Sequence, residues 1–306
     1  MLKPADLTPL TALKLGELAL EAGVPPGVLN VVPGSGDAGA ALVDHPLVDK
    51  ISFTGSTAVG KSIMRSAAET MKRVSLELGG KSPAIIFPDA DLELAIPGAA
   101  NAIFLNTGQV CVAGSRLFVH RRIYDEVVAG IAGIANSLPV GHGLDDTSLI
   151  GPLISQRQRD RVLGYIEQGK AAGAKVVAGG EGLAGDGYYV TPTIFTETRP
   201  DMSIIREEIF GPVVAAIPFD DEDVDTLALQ ANDTPYGLAA SLWTRDLGTA
   251  HRMARRIRSG TVGINSHGLL DVALPFGGMK QSGFGREYGA EGVLAYTEVK
   301  AIAALL

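Results

Sequence analysis

Short apolar runs alternate with segments of helical apolar spacing along almost the whole chain, and glycine stands at many of the hinges. No other feature narrows the fold as far. TPLTALKLGELALEAG (8–23) repeats apolar residues at helical spacing and stops at Gly23. DAGAALVDHP reads as a second helix, and VDKISFTG as a strand running into a glycine turn. STAVGKSIMRSAAE is helical, and KRVSLELGG is a strand ending at paired glycines. The rhythm continues through the strand SRLFVHRRI and the helices YDEVVAGIAGIANSL and QRQRDRVLGYIEQGKAAG, the latter capped at Gly173. AKVVAGG, PVVAAIPF and LAASLWT follow as strands, with DVDTLALQAND and LGTAHRMARRIRSG as helices, the last ending at Gly260. LAYTEVKAIAAL reads as a final strand. Strand–turn–helix repetition of this kind predicts βαβ units on a parallel sheet, hence an α/β fold.

Composition agrees. Thirty-eight glycines and only 6% aromatic residues in 306 suit tight strand–helix turns better than a β-sandwich. The net charge of −8 argues against nucleic-acid or anionic-membrane partners. The basic run Arg255-Arg256-Ile257-Arg258 reads as the solvated end of a helix. No run of apolar residues is long enough to span a bilayer, and the N-terminus shows no signal-peptide pattern. The single cysteine, Cys111, leaves no disulfide framework and fits a reducing, cytoplasmic location. The five histidines show no metal-ligand spacing, so no metal site is expected.

Several segments are candidates for chemistry. GSGDAG (34–39) matches a dinucleotide fingerprint, although a tight turn explains it equally well. In FTGSTAVGK (53–61), Gly55 and Ser56 open a helix whose free N–H groups suit an anion; a plain Ser/Thr cap is the other reading. LELGGKSP (76–83) sets Glu77 at the end of an apolar strand, where a buried carboxylate becomes a general base or forms a structural ion pair. Cys111 lies between Gly108 and Gly114 in LNTGQVCVAGSR. Small neighbours would admit a substrate to the sulfur, whereas a packed structural thiol is the plainer reading. In REEIFGPV (206–213), Glu208 suits a sugar diol and Phe210 a flat ring, or the segment is a surface turn. His267 is a candidate pocket residue, with simple packing as the alternative.

Together, KPAD, FTGSTAVG, LELGGKSP, GQVC, EEIFGPV, PFGGMKQSGFGRE and YTEVK, in that order, resemble the NAD(P)-dependent aldehyde dehydrogenase superfamily over essentially the whole chain. The resemblance implies a partial Rossmann-type cofactor domain (1–79), a catalytic domain (80–280) and a return segment with an oligomerisation strand (281–306). It implies Cys111 as nucleophile, forming a thiohemiacetal and then a thioester, with its backbone N–H in the oxyanion hole. Glu77 would activate the hydrolytic water. Lys3 and Asp6 would contact the adenosine ribose, Gly55 and Ser56 the pyrophosphate, Glu208 the nicotinamide ribose and Phe210 the ring beside it. Asp6 favours NAD, with NADP possible because Lys3 offsets part of the repulsion of a 2′-phosphate. Homodimers or homotetramers are expected.

The chain departs from the family at its start. The segment that precedes KPA in family members, with its Pro-Trp-Asn oxyanion donor, has no counterpart here. The resemblance implies an NAD-dependent aldehyde dehydrogenase that oxidises an aldehyde to a carboxylic acid, INSHGLL and DVALPFGGMKQSG leaning toward aromatic or medium-chain aldehydes such as phenylacetaldehyde. A CoA-acylating enzyme fits less well because Glu77 favours water as acyl acceptor. A catalytically inactive fragment or interaction protein, and a cofactor-free thiol esterase, are the alternatives.

Overall fold

The computed structural model describes residues 1–221 and 223–306. They divide into two compact units: Met1–Thr54 with Ala58–Ser75, and Gly55–Thr57 with Leu76–Leu306.

In the first unit, α1 (Leu10–Glu21) follows Pro9, and its C-terminal turn closes at Gly23, where φ is +86°. α2 (Gly36–Asp44) starts where the Ser35 hydroxyl accepts a hydrogen bond from the Asp37 N–H at 3.3 Å. GSGDAG is thus the capped start of a helix. β1 (Lys50–Thr54), the body of α3 (Thr57–Ala68) and the first residues of β2 (Arg73–Glu77) complete the unit. α1 buries none of its residues.

The second unit begins its sheet with β3 (Pro83–Ile86), α4 (Leu92–Phe104), β4 (Arg116–His120) and α5 (Tyr124–Ser137). α6 (Gln156–Ala171), β5 (Lys175–Ala178), β6 (Thr193–Thr196), α7 (Ser203–Arg206) and β7 (Val213–Phe219) come next. α8 (Val224–Asn232), β8 (Ala239–Trp243), α9 (Leu247–Arg256) and β9 (Thr261–Ile264) extend the opposite side. The strand order is β5-β6-β7-β4-β3-β8-β9, parallel throughout except for the antiparallel β5–β6 pair. The expected parallel sheet is therefore present.

Strand periodicity places neighbouring residues on opposite faces. Ile86 joins Ile103, Leu117, Ile131 and Trp243 in one core, under α4 and α5. Ile85 joins Phe118, Leu242 and Met253 in another, under α8 and α9. The strands read as continuous apolar runs because both faces are covered. Separately, β10 (Gly283–Phe284) pairs antiparallel with the end of β2, setting Gly283 opposite Glu77, and α10 (Gly289–Leu294) follows.

The sequence expectation fails at the tail. Residues 297–306 carry neither strand nor helix, and the start of LAYTEVKAIAAL closes α10. Alternating apolar residues make a strand only beside a neighbour that accepts their backbone hydrogen bonds in a ladder. α9 also ends at Arg256, short of Gly260. Among the described residues, no helix is long and apolar enough to cross a membrane.

Candidate active site

Everything near Cys111 depends on how the chain leaves α4. Asn106, Thr107 and Gly108 adopt φ values of +50°, +57° and +68° in succession. Left-handed backbone costs an ordinary residue roughly 1–2 kcal/mol. Side chains hold the turn: Asn106 Nδ2 donates to the Gln109 carbonyl at 3.1 Å, and Thr107 Oγ1 to the Gly151 carbonyl at 3.1 Å. Ile154 N donates to Gln109 Oε1 at 2.9 Å. Gly108 is required here, because a Cβ would collide with the Gly211 carbonyl oxygen. The turn redirects the chain, so that Cys111 arrives in a tight loop before β4 instead of on the helix.

The thiol is half-buried, and the N–H groups of Cys111 and Val112 both point at its sulfur. Burial, with the Glu208 carboxylate next in importance, pushes the thiol up to about 11. It is protonated at neutral pH and needs a base before it can attack.

Glu77 is the last residue of β2 and is 3% exposed. Its Oε2 has no hydrogen-bond partner in the protein. Burial, and after it the nearby Glu287, raise the carboxyl to about 8 against the opposing pull of Arg286. Glu77 also acts electrostatically on the Cys111 thiol. The Gly79-Gly80 pair brings the strand end and the cysteine loop together. A Cβ on Gly80 would strike the Cys111 carbonyl oxygen, and one on Gly79 the Glu208 carboxylate.

Glu208 is fixed by the Gly80 N–H, which donates to Oε1 at 2.9 Å, and by Arg161 Nη2, which donates to its backbone carbonyl at 2.7 Å. Burial raises its carboxyl, and the Gly80 hydrogen bond opposes the rise. Phe210 sits at φ +60° and is 37% exposed. Gln158 Nε2 holds this bend by donating to the carbonyls of Ile209 and Phe210 at 3.1 and 2.8 Å. A cavity of about 240 Å³, partly open to solvent, is lined by Gly80, Val110, Glu208 and Phe210 among others.

The Gly55 N–H donates to the Glu77 carbonyl at 3.0 Å, which ties the Gly55–Ser56 turn to the strand bearing the candidate base. Six of the eight singled-out residues (Cys111, Glu77, Gly55, Ser56, Glu208 and Phe210) thus lie in the second unit. Lys3 and Asp6 lie in the first and pair with each other at 2.9 Å, while Lys3 Nζ also donates to the Gly34 carbonyl at 2.8 Å.

Sequence reasoning left His267 without a role. Its Nε2 lies 2.7 Å from the Val112 carbonyl and its Nδ1 3.0 Å from Ser241 Oγ. A carbonyl only accepts, so Nε2 carries the proton and Nδ1 accepts from the serine. Burial lowers the imidazole's pKa and keeps it neutral. The ring therefore tethers the peptide after the cysteine. Nothing in INSHGLL marks this role, because both partners are remote in sequence.

The aldehyde dehydrogenase family profile matches residues 1–302. The putative aldehyde dehydrogenase DhaS of Bacillus subtilis is 54% identical over 303 residues, which are 99% of this chain and 61% of that protein. The phenylacetaldehyde dehydrogenase of Pseudomonas fluorescens is 48% identical over 99% of this chain and 60% of its own length. The NAD+ complex of the Bacillus cereus aldehyde dehydrogenase superposes with a TM-score of 0.95 at 53% identity, covering 97% of this chain and 60% of that one. The chain thus spans about three-fifths of the length of the relatives it matches. With the profile matched from end to end and the fold superposing so closely, the chain belongs to the aldehyde dehydrogenase family.

Proposed function

We propose that this chain carries the catalytic chemistry of an NAD-dependent aldehyde dehydrogenase, with Cys111 as nucleophile and Glu77 as general base. One observation carries the reading: a half-buried thiol and a buried, incompletely hydrogen-bonded carboxyl act on each other in one glycine-lined site. Glu77 takes the thiol proton, and the sulfur adds to the aldehyde carbonyl to give a thiohemiacetal. The Cys111 N–H would then serve the developing oxyanion. After the oxidation step, Glu77 withdraws a proton from water, which attacks the thioester and releases the carboxylic acid.

The residues present fit the dinucleotide. Glu208 is anchored through Oε1, which leaves Oε2 to accept from a ribose diol, and Phe210 offers an exposed ring two residues on. The Gly55–Ser56 turn at the start of α3 suits the pyrophosphate, and Lys3 and Asp6 the adenosine ribose. The bound cofactor supplies the hydride acceptor that converts thiohemiacetal to thioester. Asp6 repels a 2′-phosphate and selects NAD over NADP. The phenylacetaldehyde dehydrogenase among the relatives supports an aromatic aldehyde as substrate. A reducing compartment such as the cytoplasm keeps the lone thiol usable. The exposed tail residues Val299, Ile302 and Leu305 support assembly into a homodimer or homotetramer.

The test is NADH formation on mixing the purified chain with NAD and phenylacetaldehyde. Activity should vanish in Cys111→Ala. In Glu77→Gln steady turnover should be lost and the first turnover itself should slow, because both thiol deprotonation and thioester hydrolysis lose their base. In the native chain the rate should rise with pH through about 8, as Glu77 loses its proton. Undiminished NADH formation by Cys111→Ala would sink the assignment.

A further inference from the structure

Lys81 and Ser82 stand directly before β3, and the proposed catalysis uses neither. Both are buried, with 1% and 2% exposure. Lys81 Nζ and Ser82 Oγ have no hydrogen-bond partner among the described residues. An ammonium group carries three donors, and a buried donor left unmade costs about 1–3 kcal/mol, more when charged. Two such groups side by side therefore call for a partner beyond the described residues.

Both residues line a second, small cavity, partly open to solvent. Arg116, Arg258 and Lys280 line it too, with Ser259 adding a hydroxyl. No carboxylate is among the described residues of the lining. Arg116 donates to the carbonyls of Lys81 and Ala231 at 2.9 and 2.7 Å. Lys280 Nζ donates to those of Asn232 and Thr234 at 3.1 and 2.8 Å. These carbonyls satisfy donors without cancelling charge. The nearby Asp233 is engaged by Arg206 at 2.6 Å.

We propose that this cavity binds a free tetrahedral inorganic oxyanion, phosphate or sulfate, with Lys81 and Ser82 at its enclosed end and Arg258 at its mouth. Four cations and a ring of hydroxyls without a lining acid are the donor set such an ion requires. The ion also accounts for the two orphaned polar groups together. Its lining shares no residue with that of the cavity beside Glu208 and Phe210.

Binding should be pH-dependent. Burial and the neighbouring Arg116 hold the Lys81 amine down to about 7, while Glu207 and Glu208 pull the other way. Lys280 is depressed to about 8 by burial, Arg116 and Arg258, with Asp233 opposing. Tyr236 and Arg258, also in the lining, complete the groups facing the amine. An anion favours protonated Lys81, so affinity should fall as pH rises through about 7. Sulfate stays a dianion over that range and is the probe.

Calorimetric titration of the intact chain with sulfate, at constant ionic strength, should give one saturable site. Arg258→Gln removes a charged partner at the exposed mouth without touching the core, and should weaken binding about tenfold. Ser82→Ala should weaken it several-fold, and Lys81→Met should abolish it. Should Lys81→Met fail to fold, the other two variants carry the result. Displacement of sulfate by glycerol phosphate would identify the ligand as a phosphate monoester held by the same donors, and no displacement would identify the free ion. The proposal falls if no saturable binding is seen, or if folded Arg258→Gln and Ser82→Ala bind sulfate as the native chain does.

Discussion

The two compact units share one composition style but not one kind of interior. In the unit of residues 1–54 and 58–75, the buried apolar side chains are Pro4, Val43, Ile63 and Ala67. In the other unit, Ile85, Ile86, Leu117, Phe118, Phe195 and Leu242 are all 2% exposed or less, within a sheet covered on both faces. α1 carries Leu10, Leu13, Leu15, Leu18 and Leu20, each at least 38% exposed. The contrast teaches that an apolar pattern forms a helix locally but stabilises it only against a second surface. A helix in the first unit holds its shape with little burial, while the second unit's strands are fixed by their neighbours.

Mutations separate the two regimes. Ile86→Ala, in the doubly covered sheet, should cost about 2–5 kcal/mol in urea unfolding. A smaller loss would mean the second core is looser than its burial implies. Glu77→Gln comes next. The folded state holds this proton more tightly than the unfolded chain, so Glu77 favours folding fully below about 4.5, and that contribution is lost as pH rises through about 8. The variant should flatten this decline, gaining at most about 5 kcal/mol above the upper value. An unchanged slope would place the pH dependence elsewhere.

Helix caps give a finer comparison. Asp91 accepts from the Glu93 N–H at the start of α4, and Ser35 from the Asp37 N–H at the start of α2. Each alanine replacement should cost roughly 1 kcal/mol locally. Asp91→Ala should lower the global unfolding midpoint, whereas Ser35→Ala should show mainly as faster amide exchange in α2. Equal effects on the midpoint would show the units unfolding as one. The smallest effect belongs to Leu18→Lys on α1, within about 0.5 kcal/mol of native. It should also reduce binding of a hydrophobic dye.

Which features were legible follows from where the signal lies. KRVSLELGG alternates apolar and polar residues up to a glycine pair, and PVVAAIPF is rich in β-branched residues between prolines, so β2 and β7 announce themselves. β3 is only Pro83–Ile86 and lies between GGKS and a turn, too short to show a period. α4 carries Pro97 within it, which masks a helix that the Asp91 cap begins. The tail shows the converse, an alternating pattern that forms no strand. The residues around the thiol were visible as motifs because glycine marks close approach. The isolation of Lys81 and the tether from His267 depend on partners far along the chain, which no local window contains.

The strand order has a consequence for synthesis. β4, which follows the cysteine loop, pairs with β7 in a register that sets Arg116 beside Ala215. Gly108 likewise rests against Gly211. At about 5–20 residues per second, the roughly one hundred residues between these partners take about 5–20 s to leave the ribosome. Through that interval the walls that bury the thiol do not yet exist, and Cys111 has the ordinary acidity of a free cysteine. The emerging polypeptide is therefore more open to oxidants and alkylating agents than the finished protein, and chaperones that shelter it guard its chemistry as well as its fold.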